Sequence, residues 1–265
     1  MNNLACIICR FPHIDLEGVK DQWTFYKCPR CGYMRVEPLP TESELNQLYD
    51  EDYGKTRHLE DYIRLREQRQ IQYNIDANHL NQFTKSTSIL DFGCGDGSFL
   101  SSAKIFGNYQ ELWGYDINRV ELKHPHIQRL NHLEDIRYGY FETVVMRGVI
   151  EHLRNPRRTL NLLLQKMSKG SIFYICATPN VDSPAYLRFG LDWHMVCPPY
   201  HIHYFSPRTL ASLLAEYGFV IRDIRLDYEN TPYANFPYDS MNYLSRELSV
   251  PLPGSMMSAV FEKCR

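Results

Sequence analysis

The apolar positions of this chain fall into short continuous runs separated by longer amphipathic stretches. Short apolar runs read as buried strands, and apolar residues at helical spacing among charges read as helices that cover a sheet. The strands predicted this way are a run ending at Asp91, then Leu112 to Tyr115, His126 to Leu130, Phe141 to Met146, Ile172 to Ala177, residues 220–228, and Ser258 to Phe261. A long helix is expected over residues 59–83, where Ile63, Leu65, Ile71, Ile75 and Leu80 recur among charges, and another over Thr159 to Met167. Thr41-Glu42-Ser43-Glu44 resembles a capping box, with Leu45, Leu48 and Tyr49 following at helical spacing. Strands alternating with helices predict an α/β fold. The Pro-, Tyr- and Asn-rich stretch from Asn230 to Pro253 carries no comparable pattern; it is open whether it covers a ligand or serves a subunit contact.

The most informative junction is Ser88-Ile-Leu-Asp-Phe-Gly-Cys-Gly-Asp-Gly-Ser-Phe-Leu100. A strand runs into a turn holding Gly93, Cys94, Gly95 and Gly97, and then into a helix. Glycines let a backbone approach a ligand closely, and a helix start offers unpaired N–H groups. A dinucleotide fingerprint would read G-x-G-x-x-G. Here the order is Asp-x-Gly-x-Gly-x-Gly, with Asp91 leading. A second acid, Asp116, ends the next predicted strand at roughly the ~20-residue distance from which a carboxylate can accept ribose hydroxyls. A purely structural glycine turn, and an Asp116 that only caps its own turn, are the plainer alternatives.

These residues resemble the first motifs of the class I S-adenosylmethionine (SAM) methyltransferases. The resemblance implies a Rossmann-like sheet in which Asp91, Gly93, Cys94, Gly95 and Gly97 hold the amino-acid end of SAM. Asp116 would bind the ribose, Ile117 would pack on the adenine with Asn131 nearby, and Met146 and Arg147 would line the methionine side. Arg147-Gly-Val-Ile-Glu-His-Leu153 is similar to the family's Leu-Glu-His-Leu segment. Some ubiquinone-pathway relatives use a metal there through an additional acid; that position is Gly148 here, so Glu151 and His152 are expected to shape the cleft floor or cap the next helix.

Cys6-Ile-Ile-Cys9 and Cys28-Pro-Arg-Cys31 form a C-x-x-C pair of pairs, with eighteen residues between Cys9 and Cys28. Two such turns complete a tetrahedral four-cysteine zinc site with no open position, a structural rather than a catalytic ion. The division expected is a zinc ribbon at 1–40, a helical linker and lid at 41–84, and a SAM-binding domain at 85–265 with a substrate insertion at 178–208. The ribbon's charges nearly balance, and the chain as a whole carries 29 Lys and Arg against 31 Asp and Glu. No basic block argues for a nucleic-acid partner. No apolar run approaches the ~20 residues of a membrane span. The N-terminus does not read as a secretory signal, and the unorganised cysteines suit a cytoplasmic protein.

Pro199-Tyr-His-Ile-His-Tyr-Phe-Ser-Pro207 resembles the substrate-side insertion of methyltransferases from bacterial sugar, polysaccharide and secondary-metabolite pathways, many of which carry such a ribbon. In related sugar C-methyltransferases a histidine just before Tyr-Phe-Ser is the base, preceded by Glu and supported by a lid tyrosine. By resemblance, His201 is the general base and Tyr53 belongs to the lid. Tyr200 stands where that Glu would be, and the large C-terminal domain of those enzymes is missing, which favours O-methylation of a sugar, nucleotide-sugar or related small metabolite over C-methylation and leaves N-methylation open. The alternatives are an RNA methyltransferase that grips its substrate with the ribbon, and a SAM-binding regulatory protein without turnover.

Overall fold

The computed structural model describes residues 4–54, 59–118, 120–226, 230–245 and 252–265, the side chains of residues 49–65 excepted. Its larger sheet has seven strands: β4 (Ser88–Phe92), β5 (Glu111–Tyr115), β6 (Ile127–Arg129), β7 (Thr143–Arg147), β8 (Ile172–Pro179), β10 (Phe219–Arg225) and β11 (Met256–Lys263). Their order is β10-β11-β8-β7-β4-β5-β6. The five strands from β4 to β8 run parallel, and β11 runs antiparallel to both β8 and β10. The chain builds outward from β4 through β5 to β6 and then returns to β7 on the other side. A crevice opens at such a reversal, beyond the carboxyl ends of the strands.

Helix α2 (Leu59–Leu80) packs on α3 (Ser98–Phe106) over one face. On the other face lie α4 (Pro156–Leu164) and α6 (Pro207–Ala215), whose Leu160, Leu163, Leu210 and Leu213 share a core with Leu90, Val144, Phe173 and Phe261. Local chemistry sets the helix starts. Asn155 caps α4 by accepting from Arg158 N, with Pro156 in the first turn. This start precedes the predicted Thr159 because Pro156 and Asn155 form the turn before the apolar periodicity begins. Ser206 and Thr209 make a reciprocal capping box for α6. Strand β7 begins at Thr143 rather than Phe141; Phe141 is buried in the core without joining the ladder. The remaining helices are α1 (Glu42–Gly54), α5 (Pro184–Phe189) and α7 (Phe236–Ser245), the last within the stretch that the sequence pattern left unread.

The cysteine ribbon contributes β1 (Asp15–Lys20), β2 (Trp23–Lys27) and β3 (Met34–Glu37). These form an antiparallel sheet with a fourth member, the two-residue β9 (His203–Tyr204), in the order β1-β2-β3-β9. Met34 pairs with Tyr204 and Arg35 with His203. The ribbon is therefore not a separate appendage. Cys6, Ile8, Cys31 and Tyr33 belong to the same apolar cluster as Phe205, Leu210 and Leu213. Arg157 donates to the carbonyls of Ile7 and Ile8, and Arg208 to that of Cys31, tying α4 and α6 to the knuckles.

Candidate active site

The turn after β4 is shaped by its glycines. Gly93 and Gly97 have φ of 88° and 84°, in the left-handed region that side chains avoid. A Cβ on Gly93 would lie 2.4 Å from Val149 Cγ2. The turn is pinned to the end of β5: Gly93 N and Cys94 N both donate to Tyr115 O, and Gly95 N donates to Asp116 Oδ2 at 2.8 Å. Asp116 Oδ1 accepts from Asn118 N at 2.9 Å. Both Asp116 oxygens keep further acceptor capacity toward the cleft, because a carboxylate offers about four lone-pair sites.

A cleft of about 460 Å³ opens beside this turn. Gly93, Asp116 and Ile117 line it, along with Leu133, Gly148, His152 and residues of α1 including Leu45 and Asn46. Ile117 presents an apolar side chain that is 64% exposed. Asp91 sits beneath the turn, 2% exposed, and its Oδ1 has no hydrogen-bond partner. Burial pushes its carboxyl up to about 7, against the pull of the Arg147 guanidinium and with the push of Asp116. Asp91 does not line the cleft itself, but its unpartnered carboxylate oxygen beneath the glycine turn is of the kind that would accept from a cationic donor such as an α-ammonium group. An acid at the end of the neighbouring strand and an exposed aliphatic residue complete a site that fits the amino-acid, ribose and adenine parts of SAM.

Other expected contacts lie elsewhere. Cys94 turns its thiol away from the cleft, into the space left by the missing side chain of Gly114, where a Cβ would come within 2.6 Å of its sulfur. Met146 is fully buried in the sheet core. Arg147 pairs with Asp76 at 3.0 Å, lies over the Tyr73 ring at 4.4 Å, and lines a hollow of about 90 Å³ with Gln72 and Tyr233. Asn131 lines a different recess of about 400 Å³ together with Trp113, Arg129 and Tyr140. Gly148 and Leu133 stand at the main cleft instead of these neighbours. The Tyr53 side chain lies outside the described residues.

Behind the cleft wall to which His152 belongs, the polar atoms of Glu151, His152 and His201 lie within 4.8 Å of one another; Glu151 and His201 are not among the residues that line the cleft. Glu151 is 2% exposed, accepts from the Thr178 hydroxyl at 3.2 Å, and is pushed up to about 8 by burial. His152 lines the cleft. Its Nδ1 donates to Tyr200 O at 2.8 Å, and burial lowers its imidazole to about 3. His201 stands against His152, the ring centres 4.8 Å apart, and burial lowers its affinity for a proton too. His201 Nδ1 lies 2.7 Å from Met195 O. A carbonyl can only accept, so Nδ1 carries the proton and Nε2 the lone pair. One carboxyl and two imidazoles this close together are equipped to handle a proton. His152 thus stands in the cleft wall, in line with a shaping role, while the cap of the next helix falls to Asn155.

The four ribbon cysteines also converge. Cys6 Sγ lies 3.6 Å from Cys31 Sγ, and Cys9 Sγ 3.6 Å from Cys28 Sγ. Zinc–sulfur bonds of about 2.3 Å place tetrahedral sulfurs roughly 3.8 Å apart, so the thiols fit that ion.

The sheet order, the glycine turn and the two acids define a class I SAM-dependent methyltransferase. In agreement, a family model described as "Methyltransferase domain" matches residues 63–224, more than half of the chain, and the protein belongs to that family. No curated protein matches the chain in sequence. Among solved structures, a chain from the complex of the Haloferax volcanii Trm112 methyltransferase activator with a candidate methyltransferase is similar at 10% identity and a TM-score of 0.59, over 80% of this chain and 100% of that one. A candidate methyltransferase from Bacillus halodurans gives 11% identity and a TM-score of 0.52, over 72% of this chain and 99% of its own. The cyclase SpnF gives 13% identity and a TM-score of 0.52, over 73% of this chain and 81% of its own. These likenesses concern the fold, which one scaffold can lend to different reactions. Among the described residues, no helix is long and apolar enough to cross a membrane.

Proposed function

We propose that this methyltransferase transfers the methyl group of SAM to a hydroxyl of a sugar, nucleotide-sugar or related small metabolite in the cytoplasm, in a pathway such as polysaccharide synthesis. The observation that carries this reading is the contact of His201 with His152 of the cleft wall, with the Nε2 lone pair of His201 fixed by the bond from Nδ1 to Met195 O. Bound SAM supplies an activated methyl group that an attacking oxygen can displace from sulfur. The residues around it align and deprotonate the acceptor. Asp91 and the glycine turn hold the amino-acid end, Asp116 the ribose, and Ile117 the adenine, with Tyr53 in the lid. His201 Nε2 takes the hydroxyl proton as the oxygen attacks. A buried, neutral imidazole is ready for that step at neutral pH. The four cysteines hold a structural zinc ion.

The direct test is transfer of labelled methyl from SAM to a panel of sugars, nucleotide-sugars and structured RNAs, by wild type and His201→Ala. Labelling of a sugar class by wild type alone supports the reading. Labelling of RNA alone moves the acceptor to nucleic acid, and undiminished transfer by His201→Ala removes the base assignment.

A further inference from the structure

We propose that the cysteine ribbon is a positioning element of the acceptor half-site: through Tyr33 and the β3–β9 pairing it sets the place of His201, whereas none of its described residues lines the SAM cleft. The connection is short and buried. The knuckle from Cys28 to Cys31 is closed by Gly32 N donating to Cys28 O at 2.9 Å, and Cys28 N donates to Tyr33 O at 2.8 Å. Tyr33 therefore leaves the knuckle in a set direction. Its ring is fully buried, and its hydroxyl shares a hydrogen bond with His203 Nδ1. His203 is 1% exposed and pairs with Arg35 across the sheet.

The backbone repeats the link one residue earlier. Val36 N donates to Ile202 O at 3.2 Å, and Ile202 N donates to Glu151 O at 3.0 Å. The segment carrying His201 is thus clamped between the ribbon on one side and the Glu151–His152 turn on the other. A two-residue strand has too few ladder bonds to hold its own register, so the ribbon edge supplies it. By contrast, none of the described residues of the ribbon lines the SAM cleft, whose walls come from α1, the ends of β4 and β5, Leu133 and residues 148–162; the ribbon meets that wall where Pro40 O accepts from Arg154 Nε at 2.8 Å. The zinc that fits the four thiols would fix the knuckle from which Tyr33 departs.

This rests on the reading of His201 as proton acceptor, yet its test needs no acceptor. The imidazole of His201 is titrated by NMR, its signal identified by loss in His201→Ala, in zinc-loaded protein, after chelation and after zinc is restored. SAM affinity is measured by calorimetry in parallel. Expected on chelation is a rise of the His201 titration toward the ordinary 6.5, because loosening readmits water. SAM affinity is expected to change less than about threefold, a small shift on the affinity scale, and zinc reverses the change. Tyr33→Phe keeps the ring, the zinc and SAM binding, and is expected to move the His201 titration in the same direction. An unmoved His201 signal in both samples overturns the coupling. So does SAM binding lost together with zinc, since the ribbon would then serve the whole fold. Full transfer by His201→Ala would remove the base reading and leave the coupling standing.

Discussion

The donor and acceptor ends of the cleft are built on different plans. The donor end is local: Asp91, Gly93, Gly95 and Asp116 lie within 26 residues, on two adjacent strands and the turn between them. The acceptor end is assembled from residues 33–36, 151–152 and 195–204, brought together by sheet pairing and buried hydrogen bonds. A local site can be kept by a short motif whatever surrounds it. A site of remote parts depends on the packing of the whole molecule, and here on the ribbon.

The sharpest way to break this contrast is to remove one end and measure the other. His201→Ala is expected to lower methyl transfer by roughly 10²–10⁴-fold, the usual worth of a positioned base, while SAM binding stays unchanged in calorimetry. If SAM affinity falls with it, the two ends are not separate. Gly93→Ala attacks the donor end. Its φ of 88° and the 2.4 Å approach to Val149 make a side chain costly. We expect about 1–3 kcal/mol of lost stability in thermal melts, with weaker SAM binding.

A gentler probe is pH. Burial holds the Asp91 carboxyl at about 7, so the free protein binds a proton there that the cation of SAM must displace. SAM affinity should therefore rise with pH, about fivefold between pH 6 and 7, and level off above. The sign for folding is opposite. The raised value favours the folded state below the unfolded value of 3.8, and that contribution is lost as pH rises through about 7. A SAM affinity that falls or stays flat over this interval would deny Asp91 its role. The smallest effect is expected from Ile117→Ala, which removes an exposed aliphatic wall: a loss of about three- to tenfold in SAM affinity by calorimetry, with transfer at saturating SAM unchanged.

The same contrast decides what could be read from the chain. The strand–turn–helix around Gly93 announces itself because backbone conformation and residue type are linked within a few positions. The cysteine pairs do so because metal geometry restricts spacing. Strand β9 does not: two residues carry no periodicity, and its partner lies about 170 positions away. The chain therefore reads as a ribbon at 1–40 set apart from the sheet, and its fusion with the core of α6 is visible only in three dimensions. Burial also separates neighbours that sequence treats alike. Gly148 reaches the cleft, while Met146 faces the core and Arg147 turns to Asp76. Side-chain direction along β7 and packing against α2 settled those positions, and neither leaves a local mark in the sequence.

The central claim is that the glycine turn and its two acids bind SAM. Calorimetry of SAM with wild-type protein and Asp116→Ala tests it most directly. Expected is one SAM bound per wild-type chain and an affinity lower by about ten- to a hundredfold in Asp116→Ala, the worth of charge-assisted hydrogen bonds to a buried ligand. No heat with wild type, or equal affinity in the two proteins, would contradict it.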